Sequence, residues 1–200
     1  MGLTQTTAPT DYPVSLDEVK QHCNIIISDD DGWLTSAIAA ATRQIERRLD
    51  RQLVVSTWTY SRDNFPVGLE IELPKPPLMS VTSLKYMDLS STQQTFSSAY
   101  YTVDTTREPG RIVLNYGYTW PTCRGHIQDV SIVYKAGYGV AGCTEPASIL
   151  AVPETFKLLI KSMVAVAYEN REPVLIGDAS SRINLLWDSI ISSEEWEGYC

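Results

Sequence analysis

The hydrophobic period of this chain changes twice, and that pattern constrains the fold more than any single motif. Residues 33–51 and 153–172 repeat their apolar side chains every three to four positions, as one face of an α-helix does. Between them, residues 53–60, 69–73, 78–87 and 127–135 are strand-like, most of them alternating apolar and polar as a half-buried strand does. A helical part interrupted by an antiparallel β domain is expected, which makes the chain α+β.

The later helical stretch, PETFKLLIKSMVAVAYENRE, sets Phe156, Leu159, Ile160, Met163, Val164, Ala167 and Tyr168 on one face. Pro153 suits a first turn, where a missing N–H costs nothing, and Pro173 closes the far end. The earlier stretch has a narrow stripe of Leu34, Ile38, Ala41, Ile45 and Leu49. Its Ala37, Ala39, Ala40 and Ala41 permit close helix approach, and the two long helices are expected to pair. A short helix over 16–23 is opened by Ser15 and Glu18, at the spacing of a capping box. Another, over 178–191, carries Ile183, Leu186, Trp187 and Ile190 on one side. The expected organisation is a flexible N-terminal arm (1–13), a helical part (14–52), an inserted β domain (53–135) and a loop (136–152). A second helical part (153–191) then completes a small bundle of two long and two shorter helices, and a tail (192–200) follows.

The net charge is -8 and the pI about 4.7. Such a balance excludes a general DNA-gripping surface, because non-specific affinity comes from Lys and Arg displacing counterions. One basic cluster stands out, Arg43, Arg47, Arg48 and Arg51, at the end of the first long helix. It complements the helix dipole and could meet DNA or an acidic neighbouring subunit. The tail SSEEWEGYC is acidic but carries Trp196 and Tyr199, which suggests docking into a neighbour. No apolar run reaches the roughly 18 residues of a membrane span.

Motifs that would bring chemistry fail on their context. The acidic run ending in Gly32 puts Ile27 and Ile38 at the first and last positions of an EF-hand loop, where neither can bind calcium. The GxGxxG at 137–142 follows a strand, but prolines at 146 and 153 replace the helix that a pyrophosphate requires. His22 and His126 fall in no ligand spacing, and Cys23, Cys123, Cys143 and Cys200 form no CxxC pair. No catalytic residue, cofactor or metal is expected.

The order of the segments carries a resemblance. PVSLDEVKQHCNI, an acidic DDD helix start, IERRLDRQLVVSTW, the Phe65-Pro66 pair, ELPKPPLMSVTSLKYMD, YYTVD, PGRIVL, VSIVYKAGYG and YENRE follow one another. Together they resemble the head–tail connector (adaptor) proteins of tailed bacteriophages, in the longer subfamily with an added β domain. The resemblance implies a virion structural protein of the neck, made in the host bacterial cytoplasm. Such adaptors form a ring, usually a dodecamer, under the portal and bridge it to a tail, stopper or tail-tube protein. DNA crosses the lumen without sequence-specific binding, and no membrane is involved. Tyr168, Asn170 and Arg171 become structural or subunit-contact candidates, beside the arginine cluster and the tail aromatics. A stopper or tail-completion protein is the alternative, and an enzyme with a composite site is weaker still.

Overall fold

The computed structural model describes residues 1–139 and 151–170, in two compact units. Most of the expected loop, the expected helix over 178–191, Arg171, and the tail with Trp196 and Tyr199 lie outside the described residues.

The β unit comprises Asp50–Gly139 together with Met1–Thr10. Its strands are β1 (Gly2–Thr7), β2 (Ser56–Arg62), β3 (Glu70–Glu72), β4 (Leu78–Met87), β5 (Gln93–Thr95), β6 (Tyr101–Asp104), β7 (Arg111–Leu114) and β8 (Val130–Ala136). They form a five-stranded sheet, β1-β2-β8-β4-β5, and a three-stranded sheet, β3-β7-β6, with antiparallel pairing throughout. β8 is central. Its alternation puts Val130, Ile132, Tyr134 and Ala136 inside, and they share one core with Leu84 of β4 and Ile71, Ile112 and Leu114 of the smaller sheet. An alternating strand paired on both sides has one face for that core, which is why this stretch is so readable.

The opening segment corrects the expectation of a flexible arm. Gly2–Thr7 pairs with β2, from Gly2 opposite Ser61 to Thr7 opposite Thr57. The Thr6 and Thr59 hydroxyls meet at 2.7 Å. An edge strand draws its stability from the backbone ladder of its neighbour, so a polar, threonine-rich sequence suffices. The polar stretch after β4 also differs from a plain turn. Asp88 Oδ1 accepts from the backbone N–H groups of Ser90 and Thr92, closing a turn that leads into β5.

The first glycine of the GxGxxG has a structural reason. Gly137 sits at φ +122°, and a Cβ there would lie 2.6 Å from the Val54 carbonyl carbon. The backbones cross that closely because the Val55 N–H donates to the Tyr138 carbonyl and the Gly137 N–H donates to the Pro77 carbonyl. Only glycine fits.

The helical unit contains α1 (Leu16–Cys23), α2 (Asp31–Arg48) and α3 (Glu154–Glu169), which touch one another pairwise. Ser15 caps α1 as expected: its N–H donates to Glu18 Oε2 at 2.8 Å, and the Glu18 N–H donates to Ser15 Oγ at 3.2 Å. α2 starts before Trp33, with carboxylates at its positive end, and stops at Arg48 rather than Arg51. Asp50 at φ +50° turns the chain out of the helix. Leu34, Ile38, Ala41 and Ile45 are buried on α2, and Phe156, Leu159, Ile160 and Val164 on α3.

The cap makes one pH-dependent prediction. Hydrogen bonding from the Ser15 backbone N–H, the largest effect, holds the Glu18 carboxyl below the usual carboxylate range. A lowered folded pKa stabilises above the unfolded value, and that share is lost as pH falls through the folded one. Glu18→Ala should therefore melt below the unmodified protein at neutral pH, by about 1 kcal/mol as for a lost cap. The gap should close on acidification, read by circular dichroism melts across the carboxylate range.

Candidate functional site: an alanine groove and an arginine-bearing helix end

The start of α2 lies against the end of α3. The Trp33 and Tyr168 rings meet edge to face at 5.8 Å, and the Tyr168 hydroxyl donates to Asp30 Oδ2 at 2.8 Å. Tyr168, a candidate contact residue by sequence, is thus half-buried and ties the two helices together. Asn170 ends α3, where its backbone N–H and its side-chain Nδ2 both donate to the Val166 carbonyl at 3.0 Å.

Beside this latch a groove of about 380 Å³ opens between α2 and α3. Trp33, Ala37, Ala40 and Gln44 line one wall, and Met163 and Ala167 the other. The alanines expected to bring helices together divide in two. Ala41 is buried, whereas Ala40 and Ala167 are exposed in the groove. Its lining is mostly apolar, and small side chains leave room for a partner's larger ones.

The basic cluster divides as well. Arg43, Arg47 and Arg48 are exposed on the last turns of α2. By helical spacing Arg47 continues the line of Ala40 and Gln44, and Arg43 and Arg48 flank it. Arg51 leaves this surface, because the helix ends before it and its side chain is only 7% exposed within the β unit. Its guanidinium pairs with Glu108 at 2.6 Å, donates to the Tyr138 hydroxyl at 2.8 Å and lies 5.9 Å from that ring's centre. Nothing in the spacing of 43, 47, 48 and 51 signalled this, since only the backbone turn at Asp50 separates the last arginine from the helix.

The β unit has its own surface feature. Phe65 stacks on Trp120 at 4.9 Å, Phe96 packs between Trp120 and Tyr100, and Tyr100 stacks on Tyr118 at 4.8 Å. Tyr116, Val67 and Leu69 are exposed on the same unit. Of the 11 tyrosines in the sequence some are therefore core, as at Tyr134, and others are surface of the type that interfaces use.

The described side chains bring no reactive group forward. Burial pushes the Cys23 and Cys123 thiols up, so both are protonated and weakly nucleophilic at neutral pH. Asp129 is held low chiefly by the Arg124 guanidinium, with the His126 N–H also donating to it. That cluster pins the loop before β8. Among the described residues, no group of three His, Cys, Asp or Glu side chains could hold a metal ion.

Residues 13–106 match the family model described as phage gp6-like head-tail connector protein. Over that span, a little under half of its length, the chain is similar to the phage gp6-like head-tail connector family. The matched region holds α1, α2 and strands β2 to β6, and leaves β1 outside. No curated protein matches. Among solved structures, a chain of the neck of an empty gene transfer agent (GTA) particle, computed with C6 symmetry, is similar with a TM-score of 0.70. It is 23% identical, over 88% of each chain. A chain of the native gene transfer agent virion has a TM-score of 0.68 and 20% identity, covering 93% of this chain and 95% of that chain. A chain of the native GTA neck computed with C12 symmetry scores 0.62 at 21% identity, over 95% and 94%. At these identities the likeness is one of fold, and it extends well beyond the family match.

Proposed function

We propose that this chain is a head–tail connector that forms a closed ring beneath the portal, joins the capsid vertex to the tail and surrounds the channel that DNA crosses. The observation that carries the reading is the family match over 13–106. It is supported by the fold shared with chains of the gene transfer agent neck, in particles computed with C6 and C12 symmetry. The ring is a dodecamer of this chain, located in the virion neck. Its partners are the portal on one side and a tail, stopper or tail-tube protein on the other. The helical body is proposed to be a bundle of the long α2 and α3, the shorter α1 and the segment 178–191, with the β unit inserted in the sequence between α2 and α3.

A ring repeats one heterologous interface, so each copy needs two complementary faces. Arg43, Arg47 and Arg48 supply positive charge on a chain whose net charge is -8. Tyr168, Asn170 and Arg171 are contact candidates for that interface, and Trp196 and Tyr199 are the candidates for binding the portal. An acidic lumen wall lets DNA slide because it offers the phosphates no cations. The protein acts as a structural joint, without catalysis.

Native mass spectrometry and negative-stain imaging of the full chain, alone and with portal, test this. Rings are expected at least when portal is present, docked directly on it. A chain that stays monomeric at high concentration and ignores portal overturns the reading. Binding only to a preformed portal–connector complex identifies a stopper instead.

A further inference from the structure

β1 is attached in a way that lets another copy's sheet accept it as readily as its own. Gly2–Thr7 contributes no side chain to the buried core, and only Leu3 packs against it. The strand is held by its ladder along β2, by the contact of the Thr6 and Thr59 hydroxyls, and by the Tyr60 hydroxyl donating to Met1 Sδ. β8 pairs with β2 along its whole length on the other side, so β2 keeps its place whichever copy supplies its edge partner. Gly2–Thr7 has no Asp, Glu, Lys or Pro, the residues that keep an edge strand from pairing with a different chain. The connector to the helices suits exchange as well. The chain passes from the β unit to the helical unit between Thr10 and Asp11, and Ala8, Thr10, Asp11 and Tyr12 are exposed. Pro9 and Pro13 bias the residues before them, Ala8 and Tyr12, to extended backbone, and a five-residue stretch of that kind reaches about 17 Å.

We infer that β1 is exchanged on assembly: each copy lays its Gly2–Thr7 along β2 of the next copy and receives the strand of the copy before it. The inference rests on the ring proposed above and names a contact that closes it. Exchange in one direction is a heterologous interface, the kind that a closed ring repeats, and the strand and its slot already fit each other. The ladder given up within a copy is regained between copies, so the cost is confined to rearranging the exposed connector. The high local concentration of neighbours in a ring offsets that cost. In the free subunit the strand covers its own β2 edge and keeps it from pairing indiscriminately.

Disulfide formation between copies tests this, in full-length chains that lack the native cysteines, match the original by circular dichroism and are assembled with portal. Thr4 lies opposite Thr59 in the ladder. A chain carrying both Thr4→Cys and Thr59→Cys should oxidise within one copy at high dilution, which shows the pair to be competent; no disulfide there would overturn the inference. Assemblies are then made from equal amounts of a Thr4→Cys chain and a Thr59→Cys chain, so that a link from 4 to 59 forms only between copies. Oxidation should give dimers joined from 4 to 59, identified by the mass of the linked peptides. Their yield should exceed by at least about tenfold that of a 4-to-83 link with Ser83→Cys in place of Thr59→Cys, since β4 stands three strand spacings from β1 and out of disulfide reach. A foreign strand added outside β1 would stand two spacings from β2 and give no 4-to-59 link. Negative-stain imaging of the same samples separates the two proposals. Rings without the link overturn the exchange and leave the ring, whereas the link without rings keeps the exchange and removes the ring. Neither ring nor link would overturn both.

Discussion

Arg51→Ala is expected to destabilise the β unit by about 3 kcal/mol, the scale of breaking a buried ion pair from one side. The guanidinium connects three segments that are distant in sequence: its own, the loop at Glu108, and Tyr138 beyond β8. Removing it takes the ion-pair partner from Glu108 and a hydrogen bond from the Tyr138 hydroxyl. Two observations keep the expected loss near the low end. Glu108 retains 27% of its side-chain exposure, so water can partly replace the lost partner. Arg51 Nε is also buried without an acceptor, which already offsets some of the gain. Arg51→Lys should recover only part of the stability, since an ammonium cannot reproduce the planar fork. Denaturant unfolding, with hydrogen exchange to localise the loss to β2 and β8, is the measurement. Unchanged stability with weakened assembly would return Arg51 to the surface cluster.

That substitution also marks where reading the sequence stops. Period and caps were legible because they are local. The alternation of 127–135 became β8, residues 78–87 became β4, and Ser15 with Glu18 closed their capping box. The stripe of α2 was legible too, with Leu34, Ile38, Ala41 and Ile45 all buried. What escaped depends on partners far along the chain. β1 forms because β2 offers it an open edge, and a polar segment carries no periodic trace of that. Arg51 looked like the fourth member of a helical cluster, yet a single left-handed residue, Asp50, redirects it into the β unit. Tyr168 belonged to an apolar face, but its hydroxyl bond to Asp30 joins positions 138 residues apart. For the candidate site, the arginines and alanines were visible as residue types. The division of the alanines required the packing of α2 against α3, and that of the arginines the turn at Asp50.

The same packing makes Phe156→Ala the most damaging single change expected in the helical unit, at about 3–5 kcal/mol. Phe156 is fully buried in the first turns of α3, followed by Leu159, Ile160 and Val164 on the same face. α1, at 8 residues, is too short to stand alone in water, and α2 and α3, at 18 and 16, draw most of their stability from packing their apolar faces. The cavity left by a phenyl ring removes both transfer energy and contacts, and short helices have few other buried side chains to spread the loss over. The β unit keeps its own core, from Ile71 to Ala136, with no member drawn from the helices. Exchange should therefore quicken sharply at α1, α2 and α3 amides while β4 and β8 amides slow-exchange as before. Calorimetry should show the loss in a separate, lower transition. Equal loss of protection in both units would mean that they unfold as one body, and that the sheet depends on the helices for its stability.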